Sequence, residues 1–335
     1  MELRLLGKTG IRVSKLCFGT MSFGGAADER MSAAMYARCR EVGINAFDCA
    51  NVYSAGVAEE ILGRLIAGER DRIVLTSKVG FPMGEDPNDR GLSRRHILSS
   101  IEASLRRLGT DRLDVLFVHT FDPATPIEET LRALDLVVKQ GKAIALGVSN
   151  WAAWQIALAL GVSAREALPA FACIEPMYNL VKRQAEVEIL PLALSQKLGA
   201  ISYSPLGGGL LTGKYGVDAR PDSGRLVENT MYKTRYGDPS YFETAERFTA
   251  FAREHGMHPA TLAVAWVARH PAITAPIIGA RNLEQLEPSL AAAELDLDDE
   301  MYAELCALSP APPSATDRTE ERLGVQYKGS SENYK

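Results

Sequence analysis

The stretch "SRRHILSSIEASLRRLGTDRLDVLFVH", residues 93–119, contains two different periodicities side by side. Ser93 is a suitable helix N-cap, and the residues after it have the apolar spacing of one helix face. The apolar positions on that face are Ile97, Ile101, Leu105 and Leu108. The following "LDVLFVH" is almost continuously apolar, as in a strand that is covered on both sides. This stretch therefore predicts a helix followed by a buried strand, the repeating unit of an α/β protein.

The same alternation extends along the chain, where short apolar runs recur at intervals of about 30 residues, the length of a strand plus a crossover helix. Eight runs end near Thr20, Asp48, Lys78, His119, Asn150, Met177, Ser204 and Gly279. Strands that are apolar throughout indicate parallel pairing with helices on both faces. Eight such units favour a (β/α)8 TIM barrel over an open sheet, so we predict the α/β fold class.

Three segments depart from this repeat. Residues 3–16, "LRLLGKTGIRVSKL", contain two short runs around a turn and predict an N-terminal β-hairpin. A Gly/Pro/Arg-rich loop occupies about 205–240, and residues 309–335 form a polar, Pro/Ser-rich tail that we expect over the barrel mouth. We therefore expect residues 1–335 to form a single barrel domain with this tail as an extension.

A second helix is predicted in "TPIEETLRALDLVVKQGK", residues 125–142. Thr125 and Glu128 have the spacing of a capping box, and Pro126 suits the first helical position. Gly141 is a suitable residue to end the helix.

The composition excludes several classes of function. The 335 residues are 46% hydrophobic and 24% charged with a net charge of −5, so no basic block is available for nucleic acid. No apolar run approaches the roughly 20 residues that span a bilayer, and the first ten residues lack a signal-peptide core. The five cysteines and five histidines form no metal-binding or disulfide pattern. We therefore expect a cytoplasmic protein without a metal site, and the sequence indicates no particular oligomeric state.

Polar residues end three consecutive predicted strands. Asp48, Lys78 and His119 end the second, third and fourth strands, and Tyr53 lies five residues beyond Asp48. Each has an ordinary explanation alone: a turn aspartate, a strand-end cation, a structural histidine and a packing tyrosine. Because the carboxyl ends of barrel strands share one face, we expect all four side chains at a single mouth. The occurrence of all four residues together favours a catalytic site over four separate structural roles.

Together these four groups predict a proton-donating tyrosine. A phenol has a pKa of about 10, and a neighbouring ammonium such as Lys78 lowers that pKa. Asp48 can hold the lysine charged and in place, while His119 can hydrogen-bond the same reacting oxygen. General acid catalysis works best when the pKa of the donor lies near the working pH.

The chain resembles the aldo-keto reductases. The motifs that carry the resemblance are "FDCANVY" (47–53), "TSK" (76–78), "VH" (118–119), "IALGVSN" (144–150), "YSPLGGGLLTGKY" (203–215) and "IIGARNLEQL" (277–286). The segment "YSPLGGGLLTGKY" is similar to the branch that contains potassium-channel β subunits and many bacterial reductases. The resemblance implies a tetrad of Asp48, Tyr53, Lys78 and His119 in a barrel whose hairpin covers the bottom. It also implies NADP(H) as cofactor, with Tyr53 protonating an aldehyde or ketone that receives the hydride.

The resemblance further implies a set of cofactor contacts. Tyr203 is expected to stack on the nicotinamide, the glycine-rich 203–215 segment to surround the pyrophosphate, and Arg281 to meet the 2′-phosphate. The expected contacts are Gly19, Thr20, Met21, Asp48, Ser149, Asn150, Glu175, Tyr203, Ser204, Pro205, Leu206, Gly208, Leu210, Lys214, Gly279, Arg281, Gln285 and Ser289. The alternative to a phosphate contact is that Arg281 is an ordinary surface charge beside a helix.

Two positions depart from the family pattern. Glu175 stands where the family usually has glutamine. A carboxylate cannot donate as the glutamine amide does, so the carboxamide of a bound nicotinamide would lose one hydrogen-bond donor. Ser289, preceded by Pro288, stands where asparagine usually contacts adenine. The preference for NADP over NAD is therefore left open by the sequence.

The loops after the strands are expected to form the substrate pocket for a small carbonyl compound or alcohol. The sequence does not identify that substrate. Candidate walls are Phe23, Tyr53, Phe81, His119, Phe121, Trp151 and Tyr232. Two other functions fit a barrel with these residues: a cofactor-sensing regulatory subunit that turns over slowly, and a metal-free isomerase acting on a sugar phosphate. NADPH turnover separates the reductase from the first, and NADPH binding from the second.

Overall fold

The predicted hairpin and barrel are both present in the computed structural model, which describes residues 1–316. β1 (Leu3–Leu5) and β2 (Arg12–Ser14) pair antiparallel to form the hairpin. The barrel strands follow as β3 (Cys17–Gly19), β4 (Ala46–Asp48), β5 (Val74–Val79), β6 (Leu113–Val118), β7 (Ala143–Ser149), β8 (Cys173–Glu175), β9 (Gly199–Ser202) and β10 (Ala275–Ile278).

The eight strands pair in parallel in chain order, and β10 returns to β3 to close the barrel. Closure is made by Ile277 opposite Cys17 and Ile278 opposite Phe18. The fold is therefore the predicted (β/α)8 TIM barrel with an N-terminal hairpin. The outer part of the predicted tail, residues 317–335, lies outside the described residues.

The helices of the described residues include those that pack around the barrel and short ones in the loops between its units. They are α1 (Glu29–Glu41), α2 (Val57–Ile66), α3 (Arg94–Leu108), α4 (Ile127–Lys139), α5 (Ala153–Glu166), α6 (Ile189–Gln196), α7 (Arg225–Glu228), α8 (Thr230–Tyr236), α9 (Pro239–Glu254), α10 (Pro259–Arg269), α11 (Leu283–Leu290) and α12 (Asp299–Ala307). Short 3-10 turns lie at Tyr53–Gly56, Arg70–Arg72, Gln184–Glu186, Gly207–Thr212 and Ala291–Ala293. Within residues 1–316, no helix combines the length and the apolar character needed to cross a membrane.

Helix caps agree with the sequence in one case and differ in another. Ser93 accepts a hydrogen bond from the His96 amide and begins α3 as predicted. The capping box predicted at Thr125 is wrong, because the N-cap of α4 is Pro126, which has no side-chain acceptor. The Thr125 hydroxyl instead donates to Asp122 at 2.7 Å, and this bond removes it from the helix end.

The predicted loop at 205–240 also contains more regular structure than the sequence indicated. It includes the 3-10 turn at 207–212, then α7 and α8 in succession. Asn229 begins α8 by accepting a hydrogen bond from the Tyr232 amide. These helices are only 4 and 7 residues long, too short to show a clear helical period in the sequence.

The hairpin fills the bottom of the barrel with apolar side chains. Leu6 and Val13 are fully buried and pack in one cluster with interior residues such as Val115, Phe117 and Ile201. Parallel strands present alternate side chains to the barrel interior, which is a packed core rather than a pore. The bottom is thus sealed, and only the carboxyl ends of the strands are available for a site.

Gly7 joins the hairpin to the barrel floor at a position where a side chain does not fit. Its φ is +56°, and a Cβ placed there lies 2.6 Å from the Gly199 nitrogen and 2.7 Å from the Ala172 oxygen. We expect Gly7→Ala to lower the free energy of unfolding by about 3 kcal/mol, from both left-handed strain and the clash. Equilibrium urea unfolding measures this loss.

Gly10→Ala is the matched control for that measurement. Gly10 lies in the same turn with a φ of +77°, and no atom lies within 4 Å of its added Cβ. It should lose only the strain contribution, about 1 kcal/mol. Equal losses in the two variants would show that the close approach of Gly7 to the barrel floor contributes nothing to stability.

Candidate active site

The strand register brings the polar strand-end residues to one mouth. Asp48 is the last residue of β4 and lies opposite Thr76 of β5. Lys78 lies two residues beyond Thr76 and therefore points to the same side of its strand, while His119 directly follows β6. Asp48, Lys78 and His119 are all buried, at 2%, 1% and 8% exposure, so their interactions take place out of bulk water.

Lys78 is the centre of the site. Its Nζ donates to both oxygens of Asp48, at 2.6 and 2.5 Å, and to the Cys49 carbonyl at 3.0 Å. The same nitrogen lies 3.4 Å from the Tyr53 hydroxyl. Asp48 also accepts a bond from the Thr76 hydroxyl at 2.6 Å. These bonds hold the ammonium at a defined distance from the phenol.

Tyr53 is held by an unusual turn. The next two residues, Ser54 and Ala55, both have left-handed backbones with φ of 48° and 53°, and Gly56 continues at 98°. Non-glycine residues in this region are strained by roughly 1 kcal/mol or more each, and such strain is concentrated at functional sites. The Ser54 hydroxyl donates to the Phe23 carbonyl at 2.8 Å, which anchors the turn and keeps Tyr53 over the cavity.

The protonation states of the site follow from burial and from the carboxylates. Burial alone would lower the pKa of Lys78, but Asp48 and then Glu175 outweigh it, so that pKa is raised and the ammonium persists. Burial, and secondarily Lys78, lowers the pKa of His119 well below its ordinary value. The imidazole is therefore neutral near pH 7.

Tyr53 differs from the expectation of an acidified phenol. Burial raises its pKa, and the opposing effect of Lys78 is too small to reverse the shift. The phenol is therefore fully protonated at neutral pH. It can donate a proton only to a group that becomes strongly basic during reaction.

His119 is connected to the rest of the mouth through Asn150. The Asn150 amide donates to the His119 carbonyl at 2.9 Å, and its oxygen accepts from the Tyr203 hydroxyl at 2.7 Å. Asn150 itself has a left-handed φ of 58°. The His119 ring lies edge-on to Phe81, 4.5 Å between centroids, and to Tyr53 at 6.1 Å, and its buried Nδ1 has no partner within residues 1–316.

A cavity of about 700 Å³ opens at this mouth. Most predicted site residues line it: Gly19, Met21, Asp48, Tyr53, Phe81, His119, Ser149, Asn150, Glu175, Tyr203, Ser204, Pro205, Leu206, Gly208, Lys214, Tyr232, Gly279, Arg281 and Gln285. The structure thus brings Asp48, Tyr53, His119 and most of the expected cofactor contacts to one cavity, while Lys78 is buried and does not line it.

Three expected cofactor contacts lie outside this lining. Leu210 is fully buried in the hydrophobic core, and the Thr20 hydroxyl is directed to the Asp48 carbonyl at 2.9 Å. Ser289 is fully buried and its hydroxyl has no hydrogen-bond partner in the described part of the chain, while the adjacent Pro288 lines the cavity instead.

Three expected pocket aromatics also lie elsewhere. Phe23 is fully buried and packs on Phe18 in the core, with centroids 5.8 Å apart, so it does not form a pocket wall. Phe121 packs edge-on against Trp151 at 5.1 Å, and Trp151 lines a second, neighbouring cavity. Aromatic residues after a strand have the same local pattern whether they face the core or a pocket.

Four positively charged side chains line the cavity. Lys214, Arg225, Arg235 and Arg281 line it, and in the part of the chain that is described none of them has a carboxylate within ion-pair distance. Arg225 and Arg235 were missed by the sequence reasoning, although the arginine content of the 205–240 segment was a signal. Unpaired cations lining a cleft attract an anionic ligand.

The glycine-rich turn forms a cradle beside these cations. Gly207, Gly208 and Gly209 all have left-handed backbones, and a Cβ on Gly208 would lie 2.8 Å from the Tyr232 ring. A larger residue would therefore close the space that the turn leaves. Open backbone with nearby cations fits the phosphates of a dinucleotide.

The thiol of Cys49, between Asp48 and Tyr53, has no role in this arrangement, although the Cys49 carbonyl accepts a hydrogen bond from Lys78. Its side chain is fully buried, and burial raises the pKa of the thiol far above neutrality. It is a packing residue of the core.

A profile of the Aldo/keto reductase family matches residues 15–310, which is most of the chain. The chain belongs to this family. The similar proteins include the uncharacterized oxidoreductase YrpG of Bacillus subtilis, 37% identical over 94% of this chain and 98% of the relative. A probable voltage-gated potassium channel subunit beta of Arabidopsis thaliana is 38% identical over 88% of this chain and 92% of its own length.

A third relative, from Schizosaccharomyces pombe, carries a provisional name as an aryl-alcohol dehydrogenase. It is 33% identical over 88% of this chain and 92% of its own length. Aldo/keto reductases are oxidoreductases that use a nicotinamide cofactor. The unpaired cations, the glycine cradle and the Tyr203 ring at the cavity all fit such a cofactor.

Proposed function

We propose that this protein is an NADP(H)-dependent reductase that converts a small aldehyde or ketone to an alcohol, with Tyr53 as proton donor. The observation that carries the proposal is the ammonium of Lys78, held by Asp48 at 2.5 Å and lying 3.4 Å from the Tyr53 hydroxyl at the cavity floor. A phenol beside a buried cation at the wall of a cavity is suited to proton transfer.

The protein's own groups divide the work at the reacting oxygen. The bound nicotinamide supplies the hydride chemistry, and Tyr203, Ser149 and Asn150 would hold its ring. Neutral His119 can orient the carbonyl oxygen by a hydrogen bond without competing as an acid. Tyr53 gives its proton as negative charge develops on that oxygen, and Lys78 stabilises the resulting phenolate.

A screen of NADPH oxidation tests this proposal. The purified protein is mixed with aromatic and aliphatic aldehydes, ketones and sugars, and absorbance loss at the NADPH band is followed, then repeated with NADH. We expect turnover with at least one reactive aromatic aldehyde. No oxidation of either cofactor across the panel, despite measurable cofactor binding, would contradict the proposed reductase activity.

Arg281 provides a prediction about cofactor choice. Its side chain lines the cavity, and its guanidinium has no carboxylate partner within residues 1–316. If it meets the 2′-phosphate, Arg281→Ala should weaken NADPH binding on the order of 10- to 100-fold by loss of a charge-assisted bond. Binding of NADH, which lacks that phosphate, should be almost unchanged.

Titration of intrinsic fluorescence with each cofactor measures both affinities. Arg64→Ala is the matched control, because Arg64 lies on the surface of α2 and, among residues 1–316, forms its one ion pair with Glu29 at 2.8 Å. Equal weakening of NADPH and NADH in Arg281→Ala would refute a specific contact with the 2′-phosphate.

A second function deserves a test because relatives from plants and fission yeast are named potassium channel beta subunits. A cofactor-sensing subunit would bind NADPH tightly, turn over negligibly and copurify with a protein partner. Measurable turnover without such a partner favours the enzyme.

We place the protein in the cytoplasm, since all five of its cysteines are free thiols and four of them are buried.

A further inference from the structure

Glu175, the last residue of β8, puts a second carboxyl beside the catalytic lysine. Its Oε1 lies 3.3 Å from the Lys78 Nζ, and the side chain is almost fully buried at 3% exposure of its atoms. Its other oxygen, Oε2, has no hydrogen-bond partner within residues 1–316. β5 and β8 are not neighbours in the barrel, so this contact crosses the barrel interior.

The charges around Lys78 do not balance. One ammonium faces two carboxyls, and Asp48 takes the two short bonds at 2.5 and 2.6 Å. Glu175 keeps only the longer contact of 3.3 Å. When Glu175 is ionised, the cluster carries one net negative charge inside the protein, which is costly without a further cation.

Glu175 is the group whose charge can change in this cluster. Burial first, and Asp48 second, raises the pKa of its carboxyl well above the ordinary value. The thiols of Cys17 and Cys173 stay neutral, because burial raises their pKa values as well. The phenols of Tyr53 and Tyr203 stay neutral for the same reason.

Two further neighbours of Glu175 do not titrate near neutral pH. Lys78 stays charged and His119 stays neutral, as described above. Lys182 and Arg183, in the loop after β8, line the second cavity together with Glu175. Lys182 lies over the Tyr241 ring, 5.0 Å from its centroid. Arg183 is paired with Glu186 at 2.9 Å.

We propose that the charge of Glu175 makes the site increasingly favour oxidised over reduced nicotinamide as pH rises. This inference rests on the proposed use of a nicotinamide cofactor. Glu175 lines the cavity beside Ser149, Asn150 and Tyr203. The oxidised ring carries a positive charge and the reduced ring carries none, so only the oxidised ring can compensate an ionised Glu175.

Binding of the oxidised cofactor is then coupled to loss of a proton. The protonated carboxyl of Glu175 releases its proton to solvent, and the resulting carboxylate remains beside the cationic ring. The affinity for NADP⁺ therefore increases as pH rises, until Glu175 is ionised in the free protein too. The affinity for NADPH follows no such trend. An amide at this position would carry no charge and would remove the effect.

Calorimetry measures the number of protons that the protein releases when a cofactor binds. NADP⁺ and NADPH are titrated into the protein at pH 7 in two buffers with different ionisation enthalpies, and the protons released are obtained from the difference in heat. Both cofactors carry the same 2′-phosphate, so its ionisation cancels between them. We expect NADP⁺ to release more protons than NADPH in the wild type, and Glu175→Gln to release equal numbers with both.

The affinity ratio gives a second readout. Between pH 6 and pH 9 the ratio of the Kd for NADPH to the Kd for NADP⁺ should rise by about tenfold in the wild type. The ratio should be flat in Glu175→Gln, which preserves the shape of the side chain.

The possible outcomes distinguish failure of the proposed role of Glu175 from failure of the proposed function. Equal proton release and a flat ratio in the wild type would overturn the role of Glu175 while leaving the nicotinamide site intact. Unchanged pH dependence in a folded Glu175→Gln would overturn it as well. If that variant does not fold, the wild-type calorimetry still decides. Failure of the wild type to bind either dinucleotide would overturn the proposed function itself.

Discussion

Replacement of Tyr53 by phenylalanine is expected to lower kcat for carbonyl reduction by about 10³-fold, the middle of the range for loss of a general acid. The change removes one hydroxyl, which lies 3.4 Å from the Lys78 Nζ. Burial keeps this phenol protonated in the resting protein, so its proton is available when charge develops on the substrate oxygen. Steady-state kinetics with the best aldehyde of the screen measure the loss.

Cofactor binding separates this chemical role from a structural one. The affinity of Tyr53→Phe for NADPH should stay within about threefold of the wild type, because a hydroxyl-to-hydrogen change leaves the ring in place. Tyr36→Phe is the matched control: the Tyr36 hydroxyl donates to Glu69 at 2.7 Å, and Tyr36 is absent from the cavity lining. Normal turnover by Tyr53→Phe would contradict the proposed mechanism. Slow turnover by Tyr36→Phe would show that loss of a tyrosine hydroxyl outside the site also impairs the enzyme.

The assembly of Asp48, Lys78 and His119 could be predicted from the sequence for a simple reason. Parallel strands that are apolar throughout leave only their ends for polar residues, and all carboxyl ends in a barrel open on one face. No side-chain distances are needed for that argument. The barrel itself followed from the same repeat, since each strand–helix unit has its own local period.

Other features depend on contacts between segments that are distant in sequence. The ion pair between Lys78 and Glu175 crosses the barrel between strands that do not pair, so no local pattern reveals it. The raised pKa of Tyr53 follows from desolvation by its surroundings, and a sequence shows only that Lys78 is near. Phe23 was expected at the pocket because aromatic residues after strands look alike, and packing on Phe18 decides its place.

Replacement of Lys78 by methionine is expected to lower both stability and turnover. It leaves the Asp48 carboxylate buried at 2% exposure without its cation, and removal of one partner of a buried pair costs about 3–5 kcal/mol. Turnover should fall to near background, since the phenolate of Tyr53 loses its stabilising charge. Urea unfolding and the aldehyde assay measure the two effects on the same preparation.

The double variant Lys78→Met with Asp48→Asn distinguishes the causes. Neutralising Asp48 removes the unpaired charge, so much of the lost stability should return while turnover stays low. Lys15→Met is the control for loss of a buried lysine: Lys15 pairs at 2.9 Å with Asp296, which is 93% exposed and remains solvated after the change. That variant should be far less destabilised. If Lys78→Met unfolds no more easily than Lys15→Met, the buried carboxylate does not depend on Lys78, and the charge argument for the site is wrong.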